Sequence, residues 1–426
     1  MENLETANMQ AKTEAKTASK PRRKYTRRGF SSKAKNTVKV PKPKYEKIFA
    51  LDIGTRSVIG IVADKTPAGL KIIATERMEH KTRAMEDGQI HDVPQVASVI
   101  DTVKKALIKK VGPLKSAAVA AAGRALYTMT ASAEMEFSGI ITPEQERSLD
   151  FAGVQAAQAQ LATSGTVEDL ANYYCVGYST IKYELDGTKL KTLVGQRGRV
   201  ASATVIATFL PRQVIDSMHS ALQSVNLDMH ALTLEPIAAI NVLIPPTMRH
   251  LNLVLVDIGA GTSDVAITRN GSVIAYGMVP QAGDEITDAI SQQYLLDFNV
   301  AEQLKRDATN GLQCHFADIM GMEYDLSATE VLKPVLPNIR KLAESIAQQI
   351  LELNGNEPPQ AIILVGGGSL TPHLSDYVAE IMNLPMGRVA VRHPDKIDGI
   401  VDIPEELRLP DAVTPLGILK IASLNT

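Results

Sequence analysis

Cysteine is scarce in this chain of 426 residues, and long apolar runs are missing from it. The two cysteines, Cys175 and Cys314, lie far apart and form no Cys-x-x-Cys pattern, which argues against a disulfide scaffold and a cysteine zinc module. No stretch approaches the roughly 20 apolar residues that would span a bilayer. The N-terminus is charged and has no apolar core of a secretory signal. These absences predict a protein of the reducing cytoplasm.

A large net charge is also missing, but the formal value of −2 hides two opposite segments. Residues 1–45 hold 13 of the 45 basic and 3 of the 47 acidic side chains, so this tail carries +10 and the remainder carries −12. The tail has few large apolar groups with which to offset chain entropy, so we predict that it is disordered. Three roles stay open: solubilisation, attraction to an anionic membrane at about 1 kcal/mol per basic residue, and contact with an acidic partner. Nucleic acid is disfavoured, because Tyr25 and Phe30 are too few for a stacking platform.

Beyond the tail, strand and helix patterns alternate, which predicts a layered α/β protein. The predicted strands cover residues 48–51, 58–63, 117–122, 200–209, 251–256, 265–267 and 361–365. The predicted helices cover residues 96–108, 144–161, 212–225, 282–294, 300–309, 331–353 and 372–382.

One local pattern occurs twice. An apolar strand, an Asp-Ile-Gly turn and a second apolar strand begin at Asp52, and the same order begins again at Asp257, 205 residues later. The second copy extends to Asp-x-Gly-x-Gly-Thr-x-Asp at residues 257–264. This repetition predicts an internal duplication into two related halves.

Such a turn suits a polyphosphate ligand. Glycine lets backbone N–H groups approach a ligand closely, and successive N–H groups form a nest for anionic oxygens. An aspartate beside the nest can hold Mg²⁺, directly or through water. Two facing hairpins would clamp phosphates from both sides, whereas the alternative is a pair of structural hairpins with capping aspartates. The candidate phosphate ligands are Gly54, Thr55, Arg56, Ser57, Gly259, Gly261 and Thr262, and the candidate metal ligands are Asp52, Asp257 and Asp264.

Two further patterns are weaker. Gly366, Gly367 and Gly368 follow a strand and precede a predicted helix, which suits close approach of a base or ribose but also an ordinary tight turn. Glu302 and Lys305 are three apart on a predicted helix and so share a face; without context they would be an exposed ion pair.

Together, in this order, the motifs resemble the actin-like ATPase superfamily. Residues 52–57 resemble its first phosphate loop, residues 257–264 its second, and residues 364–369 its adenosine loop. Glu302 and Lys305 resemble the Glu-x-x-Lys pair that touches adenosine in heat-shock chaperones of that superfamily. The region around Glu235 resembles the first connecting helix. The resemblance implies a two-domain actin-like fold with a nucleotide cleft that binds MgATP.

Within the superfamily, the chain resembles most the bacterial cell-division family FtsA. Residues 88–92, Gly123 with Arg124, and residues 279–284 including Gly283 resemble FtsA segments. The resemblance implies a first domain over residues 46–247, a second over 248–424, and an FtsA-type inserted (SHS2-like) subdomain at about 76–141. FtsA ends in a linker and an amphipathic membrane helix, which we expect this chain to lack. Residues 306–327 are shorter than their counterpart, in the region where that family docks the FtsZ tail.

The resemblance implies an ATP-binding scaffold of cell division that self-associates and recruits division proteins such as FtsZ in the cytoplasm, with possible peripheral attachment to the membrane. Asp52 and Asp257 would position hydrated Mg²⁺, and Glu235 would orient water for hydrolysis that is slow at most. A PilM-like scaffold of pilus or secretion assembly shares the fold and stays open as an alternative. A small-molecule kinase is a third hypothesis, for which we find no catalytic aspartate signature.

Overall fold

The computed structural model of the protein describes residues 45–122, 126–164 and 172–424. Residues 1–44 of the predicted tail 1–45 and the predicted Gly123–Arg124 feature therefore lie outside the described residues. No described helix is both long enough and apolar enough to cross a membrane.

The first half of the chain alternates strands and helices up to a short helix that carries Glu235. Its elements are β1 (Glu46–Ile53), β2 (Ser57–Thr66), β3 (Gly69–Glu79), β4 (Met85–Glu86), β5 (Gln89–Ile90), α1 (Val93–Val111), β6 (Ser116–Ala121), β7 (Tyr127–Glu136), α2 (Pro143–Thr163), β8 (Tyr173–Leu185), β9 (Thr188–Leu190), β10 (Val200–Pro211), α3 (Arg212–Ser224), β11 (Asp228–Leu234) and α4 (Glu235–Leu243).

The second half begins with another hairpin and ends in a buried helix. Its elements are β12 (Leu253–Ile258), β13 (Ser263–Arg269), β14 (Ser272–Val279), α5 (Gly283–Tyr294), α6 (Phe298–Thr309), β15 (Cys314–Ala317), β16 (Glu323–Leu326), α7 (Ala328–Leu332), α8 (Leu336–Leu353), β17 (Ala361–Val365), α9 (Leu374–Ile381), β18 (Val389–Val391), β19 (Ile400–Val401) and α10 (Val413–Leu424).

The topology of the two main sheets repeats. The first sheet has the order β11-β6-β1-β2-β3-β19 and the second has the order β14-β13-β12-β17-β18. In each, an antiparallel three-strand meander is joined by a later strand that runs parallel to the first strand, β6 beside β1 and β17 beside β12. This is the arrangement that two copies of one ancestral half would give. Strands β1 and β12 are buried almost throughout, as central strands covered on both faces are.

Helices on both faces of the sheets complete the core. Helices α1 and α3 pack on one face of the first sheet, through residues such as Leu107 and Leu222. Helices α4 and α10 lie with residues of both sheets in one apolar cluster, where Gly417 lets the two helices approach closely. A β-carbon at Gly417 would lie 2.2 Å from the carbonyl oxygen of Ala238.

The structure has a separate small sheet, and the predicted insertion at about 76–141 does not coincide with it. Residues of β3, α1 and β6 within that range belong to the first sheet and its covering layer. A separate four-stranded sheet with the order β7-β10-β8-β9 instead comes from the segment between β6 and α3, and α2 packs against it. The apolar pattern of α1 is the same whichever sheet the helix covers, so the bounds of an FtsA-type insertion stay a prediction.

The division at residue 247 also differs from the structure near the C-terminus. Strand β19 pairs with β3, and α10 packs beside β1, so residues 400–424 return to the first half. The predicted helix 331–353 is likewise interrupted, since α7 ends at Leu332 and α8 begins at Leu336. Pro334 and Pro337 lack the N–H groups that a continuous helix would need there.

Candidate functional site

The turns after β1 and β12 have the same local structure. We call residues 52–57 phosphate loop 1 and residues 257–264 phosphate loop 2. In loop 1 the N–H of Gly54 donates to the carbonyl oxygen of Ser57 at 3.0 Å, and in loop 2 the N–H of Gly259 donates to that of Thr262 at 2.9 Å. The repeated sequence pattern therefore makes a repeated backbone turn.

Both loops face one cleft with a volume of about 420 Å³. Of the residues predicted as ligands or catalytic groups, all line this cleft except Gly261 and Asp264. Those that line it are Asp52, Gly54, Thr55, Arg56, Ser57, Glu235, Asp257, Gly259, Thr262, Gly283, Glu302, Lys305, Gly366, Gly367 and Gly368. The structure thus brings together residues that are more than 300 positions apart in sequence.

The two exceptions lie directly behind the cleft wall. Gly261 packs against the backbone of Asp87, since a β-carbon there would lie 2.9 Å from the Asp87 nitrogen. Asp264 is 1% exposed, and one of its carboxylate oxygens accepts a hydrogen bond from the Thr262 hydroxyl at 3.2 Å. Both therefore support phosphate loop 2.

Three carboxylates at the centre of the cleft have raised pKa values. Burial and then the charge of Asp257 raise the pKa of Asp52 to about 7, although Arg77 opposes the shift. Burial raises the pKa of Asp257 to about 6, although the Thr414 hydroxyl donates to its Oδ2 atom. Burial and the charges of Asp264, Asp52 and Asp257 raise the pKa of Glu235 well above its usual value. The site therefore has an excess of negative charge.

This excess bears on the predicted Mg²⁺. Across the described ranges, no three or more histidine, cysteine, aspartate or glutamate side chains are placed to hold a metal ion by themselves. Asp52 and Asp257 nevertheless repel each other and lack a full counter-charge, which a divalent cation would supply. The donor set fits a hydrated Mg²⁺ that shares its coordination with phosphate oxygens, because Mg²⁺ keeps much of its hydration shell.

The glycines after β17 pack closely against the backbone of phosphate loop 2. Gly366 has a φ of 81°, and a β-carbon there would lie 2.3 Å from the carbonyl oxygen of Ile258. A β-carbon on Gly368 would lie 2.7 Å from the carbonyl oxygen of Gly259. A short 3₁₀ turn, Gly367–Leu370, follows. Side chains are excluded here because the backbone of the two loops is in contact.

Glu302 and Lys305 lie on α6 at the edge of the cleft. The ammonium of Lys305 lies 2.7 Å from Glu302 Oε2, and Arg56 of phosphate loop 1 lies 3.1 Å from Asp284 and 3.6 Å from Glu302. Arg306 contacts Glu302 at 2.9 Å and Glu79 of the first half at 2.6 Å. The pair is therefore part of an ionic network across the cleft and not an isolated surface bridge.

The structure adds cleft residues that the sequence motifs did not indicate. Arg77 and Asp411, which form an ion pair at 2.7 Å, line the cleft together with Thr414. The N–H of Gly88 donates to the Thr55 hydroxyl at 3.1 Å, and the ring of His80 lies 3.2 Å from the Gly54 carbonyl oxygen. None of these side chains is part of a repeated motif. Of these residues only Gly88 had a signal in the sequence, since it opens the FtsA-like segment of residues 88–92.

Comparisons with known proteins agree with this geometry. A family profile described as "Cell division protein FtsA" matches residues 254–417. A Pseudomonas aeruginosa protein named cell division protein FtsA is 24% identical over 87% of this chain and 88% of its own length. The Bacillus subtilis protein of the same name is 20% identical over 88% and 83%, respectively. The resemblance to FtsA is confirmed.

The FtsA-like chain also has a counterpart among solved structures. A chain of a PilM–PilN type IV pilus biogenesis complex superposes with a TM-score of 0.63 at 14% identity, over 88% of this chain and 98% of that one. At this identity the likeness concerns the fold. The predicted α/β, actin-like fold is confirmed.

Proposed function

We propose that this protein is an FtsA-like, nucleotide-binding scaffold of bacterial cell division that binds MgATP in the cleft. The observation that carries the proposal is that both phosphate loops have the same turn and face one cleft in an FtsA-like chain. Relatives named cell division protein FtsA span nearly the whole chain.

In this proposal the phosphates lie between the two loops and the nucleoside lies beside residues 366–368. Backbone N–H groups in both loops serve as donors to phosphate oxygens, as in other nest-like sites. Gly366 and Gly368 allow this segment to pack directly on the backbone of phosphate loop 2, which holds residues 366–368 in the cleft lining beside that loop. Thr55 contributes a hydroxyl from phosphate loop 1, whereas Thr262 contributes through its backbone, because its hydroxyl donates to Asp264.

When bound, Mg²⁺ would neutralise phosphate charge and polarise the terminal phosphoryl group. Asp52 and Asp257 would hold the hydrated ion, and Asp264 would support phosphate loop 2 from behind. The Thr414 hydroxyl fixes one oxygen of Asp257, which restricts its carboxylate to a defined orientation. These residues act by position and charge, without a covalent step.

Glu235 would orient the attacking water. It lies at the first position of α4 and lines the cleft, and the charges of Asp52, Asp257 and Asp264 reach it. The raised pKa favours the protonated form of Glu235, which cannot accept a proton from water, until a cation balances its neighbours, so we propose hydrolysis that is slow at most.

Scaffold activity would follow from hinge motion of the two halves. Nucleotide bound between the halves favours the closed cleft, and the closed form is the one that we propose self-associates and recruits division proteins such as FtsZ. Attachment to the inner face of the membrane is part of the same proposal, with the basic tail as the candidate contact.

Calorimetric titration with ATP in Mg²⁺ buffer tests the site, with Asp257→Ala as the variant. We expect binding by the wild type and strongly weakened binding by the variant; the absence of ATP binding by the wild type would refute the proposal.

A fluorescent fusion in dividing cells tests the scaffold role, which predicts a band at the division site. A polar or pilus-associated pattern would favour the PilM-like alternative, and phosphorylation of sugars in a substrate panel would favour a kinase.

A further inference from the structure

His80 follows directly after β3 and lies behind phosphate loop 1. Thr55 and Arg56 of that loop line both the cleft and a second, much smaller cavity. His80 is buried and lines the smaller cavity. Its ring is therefore on the side of the loop that faces away from the cleft, where it contacts the loop and cannot contact a ligand in the cleft.

Two hydrogen bonds join His80 to this loop. Its backbone N–H donates to the carbonyl oxygen of Arg56 at 3.0 Å, which continues the pairing of β2 with β3. Its ring Nε2 atom lies 3.2 Å from the carbonyl oxygen of Gly54. A carbonyl oxygen can only accept, so Nε2 must carry the proton in this contact. The first bond fixes the position of the histidine, and the second fixes the direction of the Gly54 carbonyl.

The direction of that carbonyl decides where the next N–H points. The peptide bond between Gly54 and Thr55 is planar and trans, so its C=O and N–H groups point in opposite directions. Because the carbonyl is turned toward His80, the Thr55 N–H points toward the cleft that Thr55 lines. An N–H that is held in this direction before a ligand arrives is a preorganised donor for an anionic oxygen.

The second ring nitrogen of His80 indicates that the imidazole is present for this contact and not for packing. With the proton on Nε2, Nδ1 is an acceptor, and it is buried without a partner among the described residues. Such an atom costs free energy, whereas an apolar side chain would fill the space without that cost. Burial lowers the pKa of His80, aided by the charge of Arg56 and opposed by the Gly54 carbonyl. The ring therefore stays neutral at pH 7 and keeps a single N–H donor.

We infer that His80 is a positioning residue of phosphate loop 1, whose Nε2–H turns the Gly54 carbonyl away from the cleft and so directs the Thr55 N–H at a phosphate oxygen. The inference rests on the proposed function, because it assigns a phosphate donor within the same ATP site. It extends that function to a side chain that no motif of the sequence indicated and that the nucleotide does not touch.

Substitutions at His80 separate the N–H donor from the bulk of the ring. The side-chain amide nitrogen of glutamine comes close to the position of the histidine Nε2 atom, the shorter asparagine places its amide nearer to Nδ1, and leucine has no donor. In calorimetric titration with MgATP, His80→Gln should therefore have an affinity close to that of the wild type. His80→Asn and His80→Leu should bind about tenfold more weakly, because a hydrogen bond to a charged oxygen is no longer held in place.

The position of the proton can be measured without nucleotide. Long-range proton–nitrogen NMR spectra of isotope-labelled histidine show which ring nitrogen carries the proton, and the signal that His80→Gln removes is that of His80. We expect the proton on Nε2. A proton on Nδ1 would overturn the inference, because Nε2 could then not donate to the Gly54 carbonyl.

The same three substitutions at His219, an exposed histidine of α3, are the matched control and should leave the affinity for ATP unchanged. Urea unfolding of each variant shows whether a loss of affinity merely follows a loss of stability. If His80→Leu does not fold, the comparison of His80→Gln with His80→Asn still decides the question.

An affinity of His80→Gln no higher than that of His80→Asn would overturn the inference, whether both match the wild type or both are weakened. Either result would leave the proposed ATP site intact. No ATP binding by the wild type would overturn both.

Discussion

Replacing Asp52 with asparagine should make the nucleotide-free protein more stable, although Asp52 lies in the proposed site. The aspartate is half-buried in the cleft beside Asp257 and Asp411, and only Arg77 opposes their repulsion. Asparagine has nearly the same shape and no charge, so Asp52→Asn relieves the repulsion without leaving a cavity. It also removes a carboxylate on which the proposed Mg²⁺ site depends.

The size of the effect follows from the pKa of Asp52, which is raised from 3.8 to about 7. Each pKa unit corresponds to about 1.4 kcal/mol, so the ionised side chain costs the folded state up to about 4 kcal/mol. Because the folded pKa lies above the unfolded one, the wild type loses stability as pH rises from about 4 to about 7. The advantage of Asp52→Asn should therefore be near zero below pH 4, about 1–2 kcal/mol at pH 5, and largest above pH 7.

Urea unfolding at pH 5, 6, 7 and 8 in EDTA measures this difference directly. The exposed Asp395→Asn serves as control and should change the unfolding free energy by less than about 0.5 kcal/mol at every pH. Adding MgATP at pH 8 should then stabilise the wild type far more than Asp52→Asn. The reasoning fails if Asp52→Asn is no more stable than the wild type at pH 8, or if its advantage is the same at pH 5 and pH 8.

Three further predictions concern close packing and the tail. Gly366→Ala should lower the unfolding free energy by several kcal/mol and abolish ATP binding, because its β-carbon would lie 2.3 Å from a backbone oxygen of phosphate loop 2. Gly355→Ala, with a similar φ of 71° and open space around it, should cost only about 1 kcal/mol and spare ATP binding; equal costs would contradict the packing argument. Gly417→Ala should lower the unfolding free energy, measured with urea, by about 2 kcal/mol or more, because the added β-carbon would collide with the backbone at Ala238. This loss is expected although alanine has the higher helix propensity. A gain in stability would show that α4 and α10 can move apart at little energetic cost. Deleting residues 1–44 should reduce pelleting of the protein with anionic vesicles and leave pelleting with neutral vesicles unchanged. Equal pelleting of the full chain and the deletion variant with anionic vesicles would show that the tail is not a membrane contact.

The sequence predicted the local parts of the site well, because each depends on neighbouring residues. The strand, Asp-Ile-Gly turn and return strand at Asp52 and at Asp257 are short-range patterns, and the two hairpins form as expected. The glycine loop at 366–368 was recognisable for the same reason. Their meeting in one cleft was predicted from the duplication and the resemblance.

The parts that the sequence did not predict depend on distant contacts. Asp411 and Thr414 sit in no repeated motif and reach the cleft only because α10 returns to the first half and packs there. The separate sheet of β7–β10 was not predicted, because helical periodicity shows which face of α1 is apolar but not which sheet covers it. Glu302 and Lys305 were recognisable in the sequence, but the contact of Glu302 with Arg56 across the cleft depends on the three-dimensional fold.

Opposing electrostatic forces act on the same cleft. Ion pairs at its edge draw the halves together, from Arg56 to Asp284 and from Arg306 to Glu79. At its centre, Asp52 of one half and Asp257 of the other repel each other.

The Arg306–Glu79 pair is partly exposed and contributes little, so we expect the central repulsion to oppose closure until a cation neutralises it. Nucleotide with Mg²⁺ would thus close the cleft chiefly by removing the repulsion between Asp52 and Asp257. High salt screens the ion pairs at the edge, so at high salt closure should depend more strongly on the bound cation.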